Sequence, residues 1–180
     1  MTYKFDYTEI QQIFNIIETI YTNNTPSLAD QFLSLPENAK LEIRKMDEAN
    51  KKYVESVLSL AGEISVVALY KKVEIHTNLI LTNHHPNLQK KELHKIDYLK
   101  SNLPFDITEL LNYKYVDELR CINNCVKHSG KVSSALSKYP GWIKGSPLKD
   151  LDKSFILIAP KTAAYMNDLH QKSKSHSGNS

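Results

Sequence analysis

The sequence predicts an all-α protein, an up-and-down bundle of four to five helices, and three observations carry this prediction. Only five glycines occur in 180 residues, which leaves few sites for tight β-turns. Apolar residues recur at three- and four-residue spacing in several long segments, as they do on one face of a helix. Three segments begin with helix-capping signals. We expect one domain over residues 1–172 and a disordered polar tail over residues 173–180.

Composition indicates an ordinary globular protein. The chain has a mass of 20.6 kDa, with 41% hydrophobic and 24% charged residues. It contains no run of about 18 apolar residues and no secretory signal at its amino terminus, so we expect no membrane span. Cys121 and Cys125, four apart on a predicted helix, are unsuited to a disulfide. We therefore expect a cytoplasmic location.

The first half of the chain predicts two helices. Thr8 caps the first, with Gln11 as its capping-box partner. A second capping box, Ser34 with Glu37, opens a helix that runs for roughly 45 residues or breaks once near Gly62. We expect no internal repeat and no sustained heptad. The buried stripe of the long helix is expected to comprise Tyr53, Val57, Leu60, Ile64, Val67 and Leu69.

The second half predicts a loop over residues 83–87, a Lys-rich helix or turn, and then a third capping box, Asp106 with Glu109. The helix that this box opens ends at Ser129-Gly130. Its core face is expected to comprise Leu111, Tyr115, Leu119, Ile122 and Val126.

The end of the chain predicts a surface loop and a final helix. Residues 153–159 suit a short extended segment, and Pro160 suits the first turn of the helix that follows. Charge is polarised along the chain: residues 1–37 carry one Lys against five acids, whereas residues 127–161 carry seven Lys against two Asp. The basic stretch, which includes Tyr139 and Trp142, is either a surface for a phosphate backbone or a solvated Lys-rich surface.

A polar stripe lies on the third of these predicted helices. Arg120, Asn124 and His128 recur at four-residue intervals, with Asp117 beside them and Lys127 at the margin. Arg120 is one of two arginines among 23 basic residues, which suggests that its planar guanidinium is needed for a phosphate or a carboxylate. A histidine near an arginine and an amide can support metal-free RNA cleavage through the 2′-hydroxyl. The plainer interpretation is a solvated helix face with one ion pair.

The residues around the stripe resemble a segment of prokaryotic members of the HEPN superfamily, helical domains named for higher eukaryotes and prokaryotes nucleotide-binding. The resemblance lies in the run Glu118-Leu119-Arg120-Cys121-Ile122-Asn123-Asn124-Cys125-Val126-Lys127-His128-Ser129-Gly130. It implies a bundle of four to five helices that is commonly dimeric. Many members of that superfamily are metal-independent ribonucleases of toxin, phage-defence and RNA-processing systems.

By this resemblance Arg120 contacts phosphate, Asn124 orients the RNA or the histidine, and His128 is the acid–base residue. We assign further RNA contacts to Asn123, Lys127 and Lys131. Seven residues separate Arg120 from His128, whereas the superfamily's motif has four to six, and Asn123 stands where its tightest form has Arg. The implied partners are RNA, a second copy in a homodimer, and a cognate antitoxin or defence-system protein.

Other functions stay open on the sequence. The chain could be a non-catalytic dimerisation or partner-binding module, in which Arg120 pairs with Asp117 and His128 caps its helix. A nucleotide sensor that uses the same stripe is a third option. Cys121 and Cys125 with His128 lack a fourth zinc ligand, so we assign no metal and no cofactor. His84 and His85 with His94 are similarly set aside as solvent-exposed and unliganded, and no Gly-rich phosphate loop is present.

Overall fold

A computed structural model describes residues 3–22 and 35–177. It confirms an all-α bundle, and within those residues the only strand-like feature is an isolated bridge between Lys131 and Pro147. In the described part of the chain, three short 3₁₀ turns lie between the helices. The five α-helices of that part are α1 (Thr8–Thr22), α2 (Glu37–His84), α3 (Ile96–Asn102), α4 (Tyr113–His128) and α5 (Leu151–Ser175).

The long helix α2 is the centre of the bundle, and α5, α1 and α4 pack against it. It runs for 48 residues without a break at Gly62. A Cβ added at Gly62 would lie 2.4 Å from the backbone nitrogen of Asp152, so α2 and α5 approach each other most closely there. Phe155 of α5 and Phe14 of α1 are buried together, with ring centroids 5.5 Å apart.

The stripe predicted to be buried on α2 is on the wrong face. Leu60 and Ile64 are more than half exposed, whereas small and polar residues such as Gly62 and Ser65 are buried. Close approach of two helices requires small residues at the contact, and this explains why the apolar periodicity misplaced the core. Of the six predicted residues, Leu69 alone is buried.

Both helices of the first half begin close to their predicted positions, and the capping predicted for Thr8 and Gln11 is wrong. Thr8 begins α1, but its hydroxyl and amide both donate to Asp6, and Gln11 donates to Asn15. The helix α2 begins at Glu37 with no side-chain cap hydrogen bond. Ser34 lies outside the described residues.

Three later boundaries differ from prediction. Asp106 caps only a 3₁₀ turn, because the chain is extended at Leu110 and left-handed at Asn112 (φ 62°), so α4 begins at Tyr113. The segment predicted as extended, residues 153–159, is helical, and Pro160 lies inside α5. That helix continues through Ser175 with Ser173 buried, although a tail was predicted from residue 173.

The helix α2 is also long and apolar enough to cross a membrane, judged by length and composition alone. The composition of α2 therefore does not support the prediction that the chain has no membrane span, and that prediction stays untested. In the bundle, 28% of its most apolar window is buried.

A cluster of aromatic and histidine rings joins the amino terminus to α2 and α5. Tyr3 stacks on His170 with ring centroids 4.7 Å apart, and its hydroxyl lies 3.0 Å from Nδ1 of His76. Burial lowers the pKa of both histidines, and the nearby charges of Lys72 and Lys174 add to this effect. The neutral imidazoles are therefore the forms that suit the cluster.

Stability should fall as the pH is lowered through the histidine range. Because the pKa of His76 and of His170 is lower in the folded state than the ordinary value of 6.5, the unfolded chain binds protons first. Full stability is present above that value and is lost as the pH falls toward the folded-state pKa, by at most about 1.4 kcal/mol per pH unit for each histidine. Thermal unfolding between about pH 8 and pH 5 measures the loss. The H76Q/H170Q variant should lose less, and an equal loss would contradict this explanation.

Candidate nucleic-acid interface

The helix α4 presents the polar stripe as its sequence predicts, with exposure that increases along the helix. Arg120 is half-buried, whereas Asn124 and His128 are exposed. Leu119 and Ile122 are fully buried, which confirms those two predicted core positions. Three other predicted core residues are not buried: Leu111 precedes the helix and is 57% exposed, and Tyr115 and Val126 are half-buried.

Arg120 forms an ion pair with Asp117, which lies one turn earlier in α4. Its Nε and Nη2 donate to Oδ1 of Asp117 over 2.9 and 2.7 Å. Partial burial acts to lower the pKa of Arg120, but the bonds from Asp117 outweigh burial and raise it. The other oxygen of Asp117 accepts from the hydroxyl of Tyr139, whose pKa is raised by burial and by that bond. Arg120, Asp117 and Tyr139 therefore form one connected network.

The two aromatic residues of the basic loop anchor that loop to α4. Tyr139 donates to Asp117, and Nε1 of Trp142 donates to Glu118 over 2.8 Å. One interpretation of the sequence placed the stretch that includes Tyr139 and Trp142 against a phosphate backbone. The polar atoms of these two residues instead bind the acids of α4. The sequence contains one signal for these contacts, the adjacent acids Asp117 and Glu118. They lie 22 and 24 residues before the two aromatic residues that they bind.

Exposed lysines occur at the end of α4 and along the loop that follows it. Gly130, with φ +62°, ends the helix as predicted, and its amide donates to the carbonyl of Cys125. Among the described residues, no ion pair engages the exposed lysines between Asn124 and the start of α5, so their charged groups face solvent. These lysines are Lys127, Lys131, Lys138, Lys144 and Lys149.

Asn123 does not share this surface. It is 1% exposed and faces the core, and its Oδ1 has no hydrogen-bond partner among the described residues. The structure thus separates Asn123 from Asn124, Lys127, His128 and Lys131, all four of which are exposed.

Arg120 and His128 are also apart from each other. Eight residues of α-helix place them about 12 Å apart along the axis. At about 100° per residue they also diverge by about 80° around the axis. Asp117 holds the guanidinium on the turn that precedes Arg120, so in one chain the guanidinium lies away from the imidazole of His128.

A small cavity lies at the Arg120 end of the stripe. Its volume is about 70 Å³, and Arg120 and Asp117 line it together with Tyr70, Glu74 and Tyr113. Pockets that enclose a small-molecule ligand are usually about 300–1,000 Å³. The cavity is too small to enclose a nucleotide, which disfavours the nucleotide-sensor alternative.

The residues considered above as zinc ligands do not form a metal site in the described part of the chain. Cys121 and Cys125 are buried free thiols, and burial raises the pKa of Cys121, whereas His128 is exposed. Within residues 3–22 and 35–177, no group of three or more metal-binding side chains is present. His85, predicted to be exposed, is 7% exposed and packs near Phe105.

Comparisons with protein-family models, with curated proteins and with solved structures gave no match. The resemblance of residues 118–130 to the HEPN superfamily therefore has no support from these comparisons.

Proposed function

We propose that this domain binds RNA through the exposed end of α4 and the basic loop after it, and that His128 is the acid–base residue of metal-independent cleavage. The observation that carries the proposal is the placement of Asn124, Lys127, His128 and Lys131 together in solvent. Exposed lysines neutralise the phosphates of a nucleic-acid backbone, and an exposed imidazole beside them can reach a 2′-hydroxyl.

Cleavage by this surface requires two copies of the chain. One copy supplies a single His128, whereas 2′-hydroxyl attack needs a base and the leaving 5′-oxygen needs an acid. A homodimer supplies both groups, and Arg120 of either copy then stabilises the phosphate. Under this proposal the protein acts in the cytoplasm, and a cognate antitoxin or other defence-system protein restrains it.

A second candidate function is a non-catalytic module that dimerises or binds a partner protein. The pairing of Arg120 with Asp117 favours it, since the guanidinium is already neutralised. His128, in the last turn of α4, then only complements the negative end of the helix dipole. The two candidates differ in whether RNA binds at the end of α4.

RNA binding should weaken at least about 10-fold when Lys127 and Lys131 are both changed to Glu. The measurement is fluorescence anisotropy of a labelled single-stranded RNA at several salt concentrations. Loss of two phosphate contacts should also reduce the slope of log affinity against log salt by about 1.4.

The matched control is Lys51→Glu with Lys52→Glu, which removes two exposed lysines of α2. This control should keep the affinity and the salt slope within about twofold. Equal losses in both double variants would show that binding follows net charge alone and would contradict a site at the end of α4.

A further inference from the structure

The face of α2 opposite the bundle carries large apolar side chains. The buried residues of this helix centre on Gly62 and Leu69. At about 100° per residue, Leu60 and Ile64 lie within about 20° of the opposite side of the helix. They are 56% and 54% exposed.

These residues belong to a regular heptad that continues toward the amino end of α2. Its a positions are Ile43, Asn50, Val57 and Ile64, and its d positions are Met46, Tyr53, Leu60 and Val67. The intervals alternate between three and four residues over residues 43–67, a length of about 36 Å. We call this row the α2 seam. The apolar periodicity alone predicts a core position for the same residues, so the heptad was not predicted from the sequence.

The half of α2 that carries most of the seam has no buried side chain. None of residues 37–60 is buried. Charged residues nevertheless lie opposite the seam in this half, among them Glu48, Lys51 and Glu55. A helix with one apolar and one charged face is stable when its apolar face is covered.

The residue types of the seam fit a second copy of the same helix. Ile and Val at a positions with Leu at d positions favour parallel two-stranded coiled coils, and one Asn at an a position fixes the register. In the seam Leu60 is the Leu at a d position. Ala49, Val54 and Ser56 flank the middle of the seam and carry no charge. Like charges would meet only toward its ends.

We propose that two copies of this chain associate through the α2 seam as a parallel coiled coil, with Asn50 facing the same residue of the second copy. An antiparallel pair would instead place Asn50 against the apolar Leu60, which leaves an amide buried without a partner. The seam lies on α2 and uses no residue of the RNA surface on α4, so the proposal is independent of the proposed function.

Sedimentation velocity of the full chain tests the association. Wild type should sediment with twice the chain mass of 20.6 kDa, and Ile64→Lys should weaken the dimer at least about 100-fold. Ile143→Lys, at a 75% exposed loop position outside the seam, is the matched control and should leave the dimer intact. Circular dichroism verifies that each variant is folded.

Three outcomes would overturn the proposal. Wild type could stay monomeric at about 100 μM, well above the dissociation constants of specific interfaces. Ile143→Lys could weaken the dimer as much as Ile64→Lys. A monomer that binds phosphatidylcholine vesicles, and loses that binding in Ile64→Lys, would assign the seam to a membrane surface instead.

Cysteine cross-linking tests the parallel register. Asn50→Cys should form a covalent dimer under mild oxidation, and Lys52→Cys, on the opposite side of α2, should not. In the antiparallel register the two copies of residue 50 lie about 15 Å apart, too far for a disulfide. Absence of the Asn50→Cys cross-link in a sedimenting dimer would contradict the parallel arrangement.

Discussion

Gly62→Ala should destabilise the bundle by about 2 kcal/mol or more, although alanine favours helix formation. A Cβ at this position meets the backbone of α5, 2.4 Å from the nitrogen of Asp152 and 2.7 Å from the carbonyl carbon of Leu151. Because backbone atoms cannot rotate away, α2 and α5 must separate, at a cost of roughly 3 kcal/mol. The gain in helix propensity is only about 1 kcal/mol. Urea unfolding measures the difference.

Gly141→Ala is the matched control for this change. A Cβ at Gly141 meets nothing within 4 Å, and its backbone has φ +90°. Conformational strain alone should therefore cost about 1–2 kcal/mol, with no loss of helix packing. If Gly62→Ala were as stable as wild type, the close packing of α2 on α5 would be wrong.

Asp117→Ala should cost about 2 kcal/mol, because it removes the centre of a polar network. Its side chain is 22% exposed and that of Arg120 is 36% exposed, so the pair lies between surface pairs of about 0–1 and buried pairs of about 3–5 kcal/mol. The change also leaves the Tyr139 hydroxyl without its acceptor. The basic loop should then become more susceptible to proteolysis.

Tyr139→Phe separates the two parts of this effect. It removes one hydrogen bond and keeps the ion pair, so we expect a loss of about 1 kcal/mol. A double-mutant cycle of Asp117→Ala with Arg120→Ala measures the coupling between the charges. A coupling near zero would show that Arg120 is free to bind a ligand and would contradict its structural role.

Local signals in the sequence predicted where the helices lie better than they predicted which face of each helix is buried. Thr8 and Gly130 mark real helix ends, although Asp6 and not Thr8 supplies the side-chain acceptor at the start of α1. Asp106 is also a true cap, but the left-handed Asn112 interrupts the chain after one 3₁₀ turn, and no periodicity reveals that. Pro160 lies inside α5 on an exposed side, although a proline there removes one backbone donor and its ring crowds the carbonyl four residues earlier.

The face of a helix that is buried depends on tertiary packing, which the apolar pattern does not specify. Near Gly62 the small residues Ala61 and Ser65 are buried because α5 comes so close there. Leu60 and Ile64, on the other side of α2, are left exposed. In the candidate site, the stripe of Arg120, Asn124 and His128 was predictable from helical spacing. The anchoring of Arg120 by Asp117 and Tyr139 depends on where the loop folds back, 22 residues later.

Cleavage of RNA in the presence of EDTA tests the proposed function most directly. Purified protein is incubated with end-labelled RNA beside His128→Ala and the control His94→Ala, which alters another exposed histidine. We expect cleavage by wild type and by the control, products that end in 2′,3′-cyclic phosphate, and a loss of activity of at least about 100-fold in His128→Ala. Folded protein that cleaves no RNA, or a His128→Ala variant as active as wild type, would contradict it.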